Sequence, residues 1–262
     1  MKNFDKKKLA ALIVIVVLLI LAIFGIVKLV QKNSGLTKEA EEKIEETITN
    51  YFTKLSIGYS SVYGGLDFVY DAKEAEYKNL NPGSVLELAI KYAETNDSDM
   101  AVNSAVYDFI KTEIGKEGVA YNAKAIQDAV KVLFGKDFEL TDYFGGADFL
   151  YDYYYLEDYN AFVKVRNDVK DATSANTSMD FYVVSHKKNK DTVVSTIAVA
   201  YVYKSGSKYT YSKDKNGSKA IVENLDEIKF PTDKADEFNK YEITTKKVSD
   251  HYEFVSIKKV EK

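Results

Sequence analysis

The sequence predicts an α+β fold in which an N-terminal transmembrane helix is followed by helices packed on a curved antiparallel sheet. Three observations lead to this prediction. The run Leu9–Val27 contains no charged residue, apolar residues recur at helical spacing up to about residue 135, and they alternate along the chain after Asp137. Helical segments that precede a series of strands are typical of α+β proteins.

The apolar run Leu9–Val27 is long enough to cross a bilayer. At about 1.5 Å per residue, an α-helix of this length spans about 28 Å, close to the thickness of the hydrocarbon core. The run is preceded by Lys2, Lys6, Lys7 and Lys8. No A-x-A cleavage pattern follows it, as a secretory signal would require. We therefore expect an uncleaved anchor that binds the lipid bilayer, rather than a signal peptide or a buried core helix.

The lysines on the two sides of this anchor give little information on its orientation. Lysines on its two sides are nearly equal in number, because the run is followed by Lys28, Lys32, Lys38 and Lys43. Long domains cross membranes largely regardless of charge. We expect a single-pass protein of the cell membrane, with its N-terminus inside and its C-terminal domain extracytoplasmic.

Composition excludes several classes of function. The net charge is −4 at pH 7 although the first 30 residues are basic, so the rest of the chain is acidic. An acidic domain has no general attraction for nucleic acid or anionic lipid. Arg166 is the single arginine in the sequence, which removes most bidentate phosphate recognition. The absence of cysteine excludes disulfides, thiolate metal sites and cysteine nucleophiles.

The first helix after the anchor is amphipathic. Thr37 is its predicted N-cap, and one apolar stripe continues to about Ser56. This helix either packs on its own domain or forms a stalk or dimerising coil. The predicted organisation is a tail and anchor over residues 1–30, a joint and stalk helix over 31–57, and an extracytoplasmic α+β domain over 58–262, with helices to about 135 and strands after.

Three more helices are expected before residue 135, and most have a polar cap at the start or a glycine at the end. Their boundaries are marked by Asn81-Pro82 for the second helix, Asn96–Asp99 and Gly115 for the third, and Asn122 and Gly135 for the fourth. The second of these helices is apolar almost all round, which predicts that it is buried.

Alternating apolar residues and turn signals predict four hairpins after residue 137. They pair Leu150–Leu156 with Tyr159–Val165, Met179–His186 with Val193–Lys204, Lys208–Tyr211 with Ala220–Val222, and Tyr241–Val248 with His251–Val260. Val193–Lys204 is apolar on both faces, so it is expected at the centre of its sheet. Its face with small residues, including Ala198 and Ala200, is expected to let helices approach.

An aromatic segment supplies the candidate ligand site. Tyrosine rings on one sheet face stack on sugars or grip an extended peptide, and the candidate residues are Tyr151, Tyr153, Tyr155 and Tyr159. The alternative is that these rings only pack, because tyrosine is also a good strand former. Alternation places Tyr154 on the opposite face from Tyr151, Tyr153 and Tyr155.

Catalytic and metal-binding motifs are absent from the sequence. His186 and His251 are its two histidines, and G-x-S-x-G, H-E-x-x-H and phosphate-loop motifs do not occur. Ser212–Glu223 has part of the spacing of a calcium loop, but Asn216-Gly217 between strands is a strong hairpin signal. We therefore expect no cofactor and no metal. An alternative hydrolase would use carboxylates beside the tyrosines, namely Asp142, Asp148, Asp152 or Glu157.

The order of segments along the chain resembles that of a known class of proteins. A short basic tail, one membrane helix, a helical segment and a curved sheet ending in YEFVSIKKV resemble single-pass envelope proteins of low-GC bacteria, many of them uncharacterised. The resemblance implies an outer domain with a nuclear-transport-factor-like or cystatin-like fold and transfers no functional residue. The expected function is non-enzymatic binding or scaffolding of another envelope protein or polymer, without nucleic acid. The alternative is an envelope hydrolase or a carbohydrate-binding enzyme.

Overall fold

The computed structural model describes residues 34–52, 54–58, 61–64, 74–96, 98–114, 117–143, 151–166, 177–214 and 217–261. The predicted anchor Leu9–Val27 and the turn residues Gly115 and Asn216 lie outside the described residues. Within the described ranges, no helix is both long enough and apolar enough to span a membrane.

The described chain is α+β, as predicted, with helices and antiparallel sheets. The helices are α1 (Lys38–Tyr51), α2 (Pro82–Thr95), α3 (Ala105–Phe109) and α4 (Ala123–Phe134). The strands are β1 (Lys54–Gly58), β2 (Ser61–Gly64), β3 (Glu74–Glu76), β4 (Gly118–Asn122), β5 (Tyr151–Leu156), β6 (Ala161–Arg166), β7 (Thr177–Asn189), β8 (Thr192–Ser205), β9 (Lys208–Ser212), β10 (Ala220–Leu225), β11 (Asn239–Val248) and β12 (His251–Lys259).

Local capping signals begin three helices where the sequence predicts them, although α1 ends at Tyr51 and not near Ser56, because β1 begins at Lys54. The side-chain oxygens of Thr37, Asn81 and Asn122 each accept a first-turn backbone N–H, at 3.2, 2.9 and 2.9 Å. Gly135 follows α4 with a φ of 62°, the left-handed conformation that glycine adopts at little cost. These contacts satisfy backbone groups that a helix end otherwise leaves unpaired.

The larger sheet is built around β8. One edge of β8 pairs with β7 along almost its whole length. The other edge is shared, since β11 pairs with β8 as far as Val199 and β9 pairs with it from Tyr201. The spatial order is β10-β9-β8-β11-β12-β3, and every pairing is antiparallel. The sheet therefore branches near Ala200.

Strand β8 is buried on both faces, but the helices lie on the face opposite to the one predicted. Ile197 and Val199 join the main core with α1, α2 and α4. The small residues Ala198 and Ala200 instead belong to a second core. That core is covered by the segment 230–238, which contains a 3-10 helix over Thr232–Glu237 and buries two phenylalanines. Small side chains here make room for those large rings.

Aromatic residues join the helices to the sheet in the main core. The ring of Tyr51, at the end of α1, lies 5.7 Å from Phe134 on α4 and 5.4 Å from Phe254 on β12. Its hydroxyl donates to the carbonyl of Leu133 at 2.7 Å. Because Ile44 and Tyr51 are fully buried, the apolar face of α1 is used inside the domain. The boundary drawn at residue 57 does not separate a stalk from the domain.

The helical half contains strands that the sequence analysis missed. Four strands, β1 to β4, precede residue 135. Strand β4 pairs with β6 and forms a separate sheet in the order β4-β6-β5. The predicted third helix is also shorter, because α3 begins only at Ala105 and passes into a π-helical turn over Ile110–Ile114. All four predicted hairpins are present, and the one at β9–β10 is described apart from residues 215–216.

Replacing Ala198 with leucine should destabilise the second core. Overpacking a filled core costs about 1–3 kcal/mol, and Ala198 is fully buried. Chemical denaturation of A198L should therefore show a lower free energy of unfolding. S205L is the control, since Ser205 is exposed at the end of the same strand. Equal stabilities of A198L and the wild type would contradict the close packing of residues 230–238 on β8.

Candidate functional site

The four candidate tyrosines do not form one exposed face. Tyr151 and Tyr155 are half-buried against the main core, and Tyr153 between them is only 2 % exposed. Tyr159 packs instead against the third core, where its ring lies 5.9 Å from Phe109. The β4-β6-β5 sheet separates these two groups. A ligand-binding role for the tyrosines stays a prediction, and the ring of Tyr153 is closed to solvent.

The inner face of β5 and β6 carries a buried polar network. The hydroxyl of Tyr153 donates to the carboxylate of Glu87 on α2. The ammonium of Lys164 on β6 lies 2.5 Å from the same carboxylate oxygen. The side chains of Lys164 and Glu87 are only 15 % and 8 % exposed. Lys164 also lies 3.9 Å from the centre of the Tyr151 ring, a cation–π distance.

Burial sets the protonation of the tyrosines in this network. Burial, followed by the negative charge of Glu87, raises the pKa of Tyr153 well above its usual value. Burial also raises the pKa of Tyr121 to about 12, with contributions from Glu94 and Glu87. Both phenols are therefore neutral at physiological pH, and that of Tyr153 donates its hydrogen bond to Glu87. The Glu87 carboxylate forms an ion pair with Lys164 and accepts a hydrogen bond from Tyr153. These contacts fix α2 against the β4-β6-β5 sheet.

Sequence reasoning overlooked this network, although a signal was present. Glu87 is a buried acidic residue in the apolar body of α2, between Leu86 and Leu88. Lys164 is the one charged residue among the apolar side chains of the segment AFVKV. Charged residues are rarely buried unless they are paired. One buried element therefore carries a single acidic residue and another carries a single basic residue. Such a combination predicts that the two side chains form a buried ion pair.

The carboxylates of the hydrolase alternative have different positions. Asp142 accepts the backbone N–H of Tyr155 at 2.8 Å, which fixes the edge of β5. Glu157 is exposed in a 3-10 turn. Asp152 alternates with Tyr151 and Tyr153, so it lies on the other face of β5. Asp148 lies outside the described residues.

The structure brings one histidine into a serine–histidine–carboxylate contact. His186 Nδ1 lies 2.9 Å from Ser195 Oγ, and its Nε2 lies 3.6 Å from a carboxylate oxygen of Glu45. Ser195 is 0 % exposed, so no substrate reaches its hydroxyl. This arrangement joins β7, β8 and α1. The other histidine, His251, lies 3.4 Å from Glu253.

The described residues form clefts beside two parts of the larger sheet. The first, of about 740 Å³, lies beside β10 and is lined by Val222, Leu225, Asp226, Glu227, Lys229, Phe230, Pro231, Thr232, Asp233 and Lys234. The second, of about 640 Å³, lies among α4, β12 and the turn at Tyr77. Asp142, Asp152 and Glu157 line neither cleft.

The partial calcium loop forms a hydrogen-bonded turn. The carboxylate of Asp214 accepts from the Ser212 hydroxyl at 2.7 Å, from the Lys219 backbone N–H at 2.9 Å, and from the Ser218 hydroxyl. The Ser218 and Ser212 hydrogen bonds lower the pKa of Asp214 to about 2. Across the ranges that the structure describes, no group of three or more candidate metal ligands occurs.

Comparisons with known proteins give no match: no family model fits the chain, and no characterised protein or solved structure is significantly similar. The resemblance to nuclear-transport-factor-like or cystatin-like domains stays a prediction.

Breaking the buried ion pair should destabilise the domain. K164M leaves the Glu87 charge buried without its cation, which typically costs about 3 kcal/mol or more. The triple variant K164M/E87L/Y153F removes all three polar groups and should recover most of that loss. Denaturant unfolding of residues 31–262 measures both effects.

The matched control for this pair is K124M. Lys124 also lies 2.5 Å from a carboxylate, that of Asp128, but these two side chains are 70 % and 63 % exposed. An exposed pair contributes less than about 1 kcal/mol. Equal losses in K164M and K124M would contradict a buried role for Lys164.

Titration of Asp214 should distinguish the turn from a calcium site. Its pKa of about 2 in the folded protein lies below the value of about 3.9 in an unfolded chain. The ionised carboxylate therefore stabilises the turn above about pH 4, and this effect is lost as the pH falls towards 2. NMR of the Asp214 carboxyl carbon should report this pKa. S218A should raise the pKa and S207A should not, whereas a calcium-induced shift would contradict the hydrogen-bonded turn.

Proposed function

We propose that this protein is a membrane-anchored binding or scaffold protein of a bacterial cell envelope, with its α+β domain outside the cytoplasm. The observation that carries the proposal is the separation, along β8, between the point where the chain enters the domain and the cleft beside β10. The chain enters the domain at one end of this strand, and the cleft beside β10 lies towards the other end.

The entry point is fixed by hydrogen bonds at the start of the described chain. The carbonyl of Ser34 accepts the backbone N–H of Lys188 on β7 at 3.3 Å, and the Ser34 hydroxyl donates to Glu41 at 2.8 Å. Lys188 pairs with Val193 near the beginning of β8. Only six residues, 28–33, separate Ser34 from the apolar run, so the link reaches at most about 25 Å.

The cleft extends from the middle of β8, where the Phe230 ring lies 5.8 Å from that of Tyr182 on β7, towards the end of β8 opposite to this entry. In the paired strands, Val222 on β10 is level with Tyr211 on β9 and with Val202 on β8. Val202 is ten residues beyond Thr192 in an extended strand, a distance of roughly 33 Å. An anchor at the first end would therefore hold the cleft away from the bilayer, where it is accessible to a partner.

The surface of the cleft suits a protein or polymer partner. Leu225, Phe230 and Pro231 give it apolar walls, while acidic and basic residues surround them. Ile228, in the same segment, is 55 % exposed. An apolar centre with a polar rim is typical of protein-binding surfaces. Three of its charged residues, Asp226, Glu227 and Asp233, are acidic, which disfavours nucleic acid.

Two observations favour binding over the hydrolase alternative. The Asp142 carboxylate is bonded to the backbone of β5, and Tyr153 is buried in the network with Glu87. Neither of the two clefts described above is lined by Asp142, Asp152 or Glu157, or by His186, the histidine that contacts Ser195.

Photo-crosslinking in native membranes tests the proposal. A benzoylphenylalanine at Ile228 should give a discrete crosslinked product in the membrane fraction, because Ile228 lies beside the cleft. The matched control is Val119, which is 51 % exposed on β4 and remote from the cleft residues in sequence and sheet. Deleting residues 1–30 should remove the Ile228 product from the membrane fraction, because the domain is then no longer tethered.

The orientation of the domain relative to the membrane can be measured in the same cells. Protease added to intact protoplasts should digest residues 31–262. Full protection of the domain would contradict the extracytoplasmic orientation, and identical crosslinking patterns from Ile228 and Val119 would contradict the assignment of the cleft.

A further inference from the structure

We propose that His186 on β7 and Glu45 on α1 bind a zinc ion, the divalent ion that imidazole and carboxylate ligands suit at a tetrahedral site. The site does not depend on the proposed membrane anchoring, and it departs from the expectation of no metal drawn from the sequence. One buried imidazole nitrogen is the main observation. The side chain of His186 is only 6 % exposed, and its Nε2 atom is buried without a hydrogen-bond partner among the described residues.

The distance between His186 and Glu45 fits two ligands of one metal ion. Nε2 of His186 lies 3.6 Å from Oε1 of Glu45. An N–H···O hydrogen bond is shorter, at roughly 2.7–3.2 Å, and a bridging water would hold the two atoms roughly 4.5 Å apart. Zinc binds nitrogen and oxygen ligands at about 2.0–2.2 Å in tetrahedral geometry, which places two ligand atoms roughly 3.4 Å apart. The observed separation is closest to that of two zinc ligands.

Ser195 holds the His186 ring in the orientation that metal binding requires. Its Oγ lies 2.9 Å from Nδ1 of His186, and Ser195 is fully buried on β8. When this hydroxyl accepts the hydrogen on Nδ1, the neutral imidazole has its lone pair on Nε2, the atom that faces Glu45. Histidine ligands of metal ions usually donate their other ring N–H to such a partner, which fixes the tautomer and the ring orientation.

The face of α1 above His186 is acidic. Glu41 lies one helical turn before Glu45 on the same face, and its carboxylate accepts the hydroxyl of Ser34 at 2.8 Å. Lys188, two residues beyond His186, lies on the same face of β7, and it is exposed. A cation between α1 and β7 therefore meets two carboxylates against one lysine.

Glu45 also provides the route by which the ion enters. Its side chain is 55 % exposed, so rotation of this side chain uncovers Nε2 of His186. No third histidine or acidic side chain is already in place within the described ranges. Water molecules, or Glu41 after a change of rotamer, therefore complete the four-coordinate site. We expect weaker binding than at structural zinc sites, which have four protein ligands.

A bound ion joins the first helix to the sheet. Glu45 belongs to α1, whereas His186 belongs to β7 and is held by β8 through Ser195. The hydrogen bond between Ser34 and Lys188 lies at the same end of β7. An ion that binds the folded chain and not the unfolded chain raises the stability of the fold. Zinc should therefore raise the midpoint of thermal unfolding.

His251 provides an internal comparison. Its Nε2 lies 3.4 Å from Glu253 and is also buried without a hydrogen-bond partner among the described residues. Its Nδ1, however, lies 3.5 Å from Asp250, whose side chain is 89 % exposed, so the ring lacks a buried partner. Lys246 is paired with Glu253 on the neighbouring strand and adds a positive charge there. We therefore assign the ion to His186.

A zinc titration of the full chain tests the site. The protein is prepared without a histidine tag in detergent micelles, and binding is measured by competition with a chromophoric zinc indicator. The wild type should bind one zinc ion per chain, and E45Q should lose this binding because it removes the charged ligand. The matched control is E42Q, since Glu42 is exposed on the same helix and lies 3.1 Å from Lys38. E42Q should bind zinc as the wild type does.

Variants of the ring and its partner separate metal binding from packing. H186Q should abolish zinc binding, and H251Q should retain it. S195A leaves both ligands in place and should weaken zinc binding about 10–100-fold, the usual effect of removing a partner of a histidine ligand. Zinc should raise the thermal midpoint of the wild type and H251Q and leave that of E45Q unchanged. Because Glu45 is half exposed, E45Q keeps the test valid if H186Q does not fold.

Four results would overturn the assignment. They are the absence of saturable zinc binding by the wild type, equal zinc affinities of the wild type and E45Q, loss of binding in H251Q with retention in H186Q, and calcium binding tighter than zinc binding. The first three exclude the site between His186 and Glu45, and the last assigns the ion to carboxylates alone. Because the protein is in micelles, each result is independent of where the domain lies relative to a membrane.

Discussion

The structure depends on the burial of both faces of β8. A strand in this position has to bond on both edges and be covered above and below, since exposed apolar surface and unpaired backbone groups are costly. One face is covered by α1, α2 and α4, and the other by the segment that contains Phe230 and Phe238. Strands β7, β9 and β11 satisfy its edges.

Elements with local signals could be predicted from the sequence. The N-caps at Thr37, Asn81 and Asn122 and the glycine at Gly135 depend on contacts within one turn, and the structure confirms them. Hairpins are local too, which is why the turns at Lys190 and Ser249 lie where alternation is interrupted. The short strand β4 was missed because its pairing with β6 joins residues about forty positions apart, and pairing over that separation has no local pattern.

The site was less predictable than the fold. Alternation correctly separated Tyr154 from Tyr151, Tyr153 and Tyr155, but it gave no information on which face would be covered. The contact between Glu87 and Lys164 joins a helix to a strand and depends on how two elements pack, which composition does not report. The same applies to β8, where the small face containing Ala198 receives Phe230 and Phe238 rather than α-helices. Side-chain size correctly indicated close packing there, but the helices that the sequence analysis expected on that face were the wrong partner.

The long antiparallel pairing of β8 has a mechanical consequence. A pull between Ser34 and the cleft beside β10 would act along the strand axis, while the interstrand hydrogen bonds lie perpendicular to it. The bonds joining β8 to β7 and β11 would then share the load in shear, whereas a pull across the strands would peel them apart one at a time. Unfolding under force is governed by the rate of unfolding. A load that these hydrogen bonds share in shear should therefore unfold the domain more slowly than a load applied across the strands.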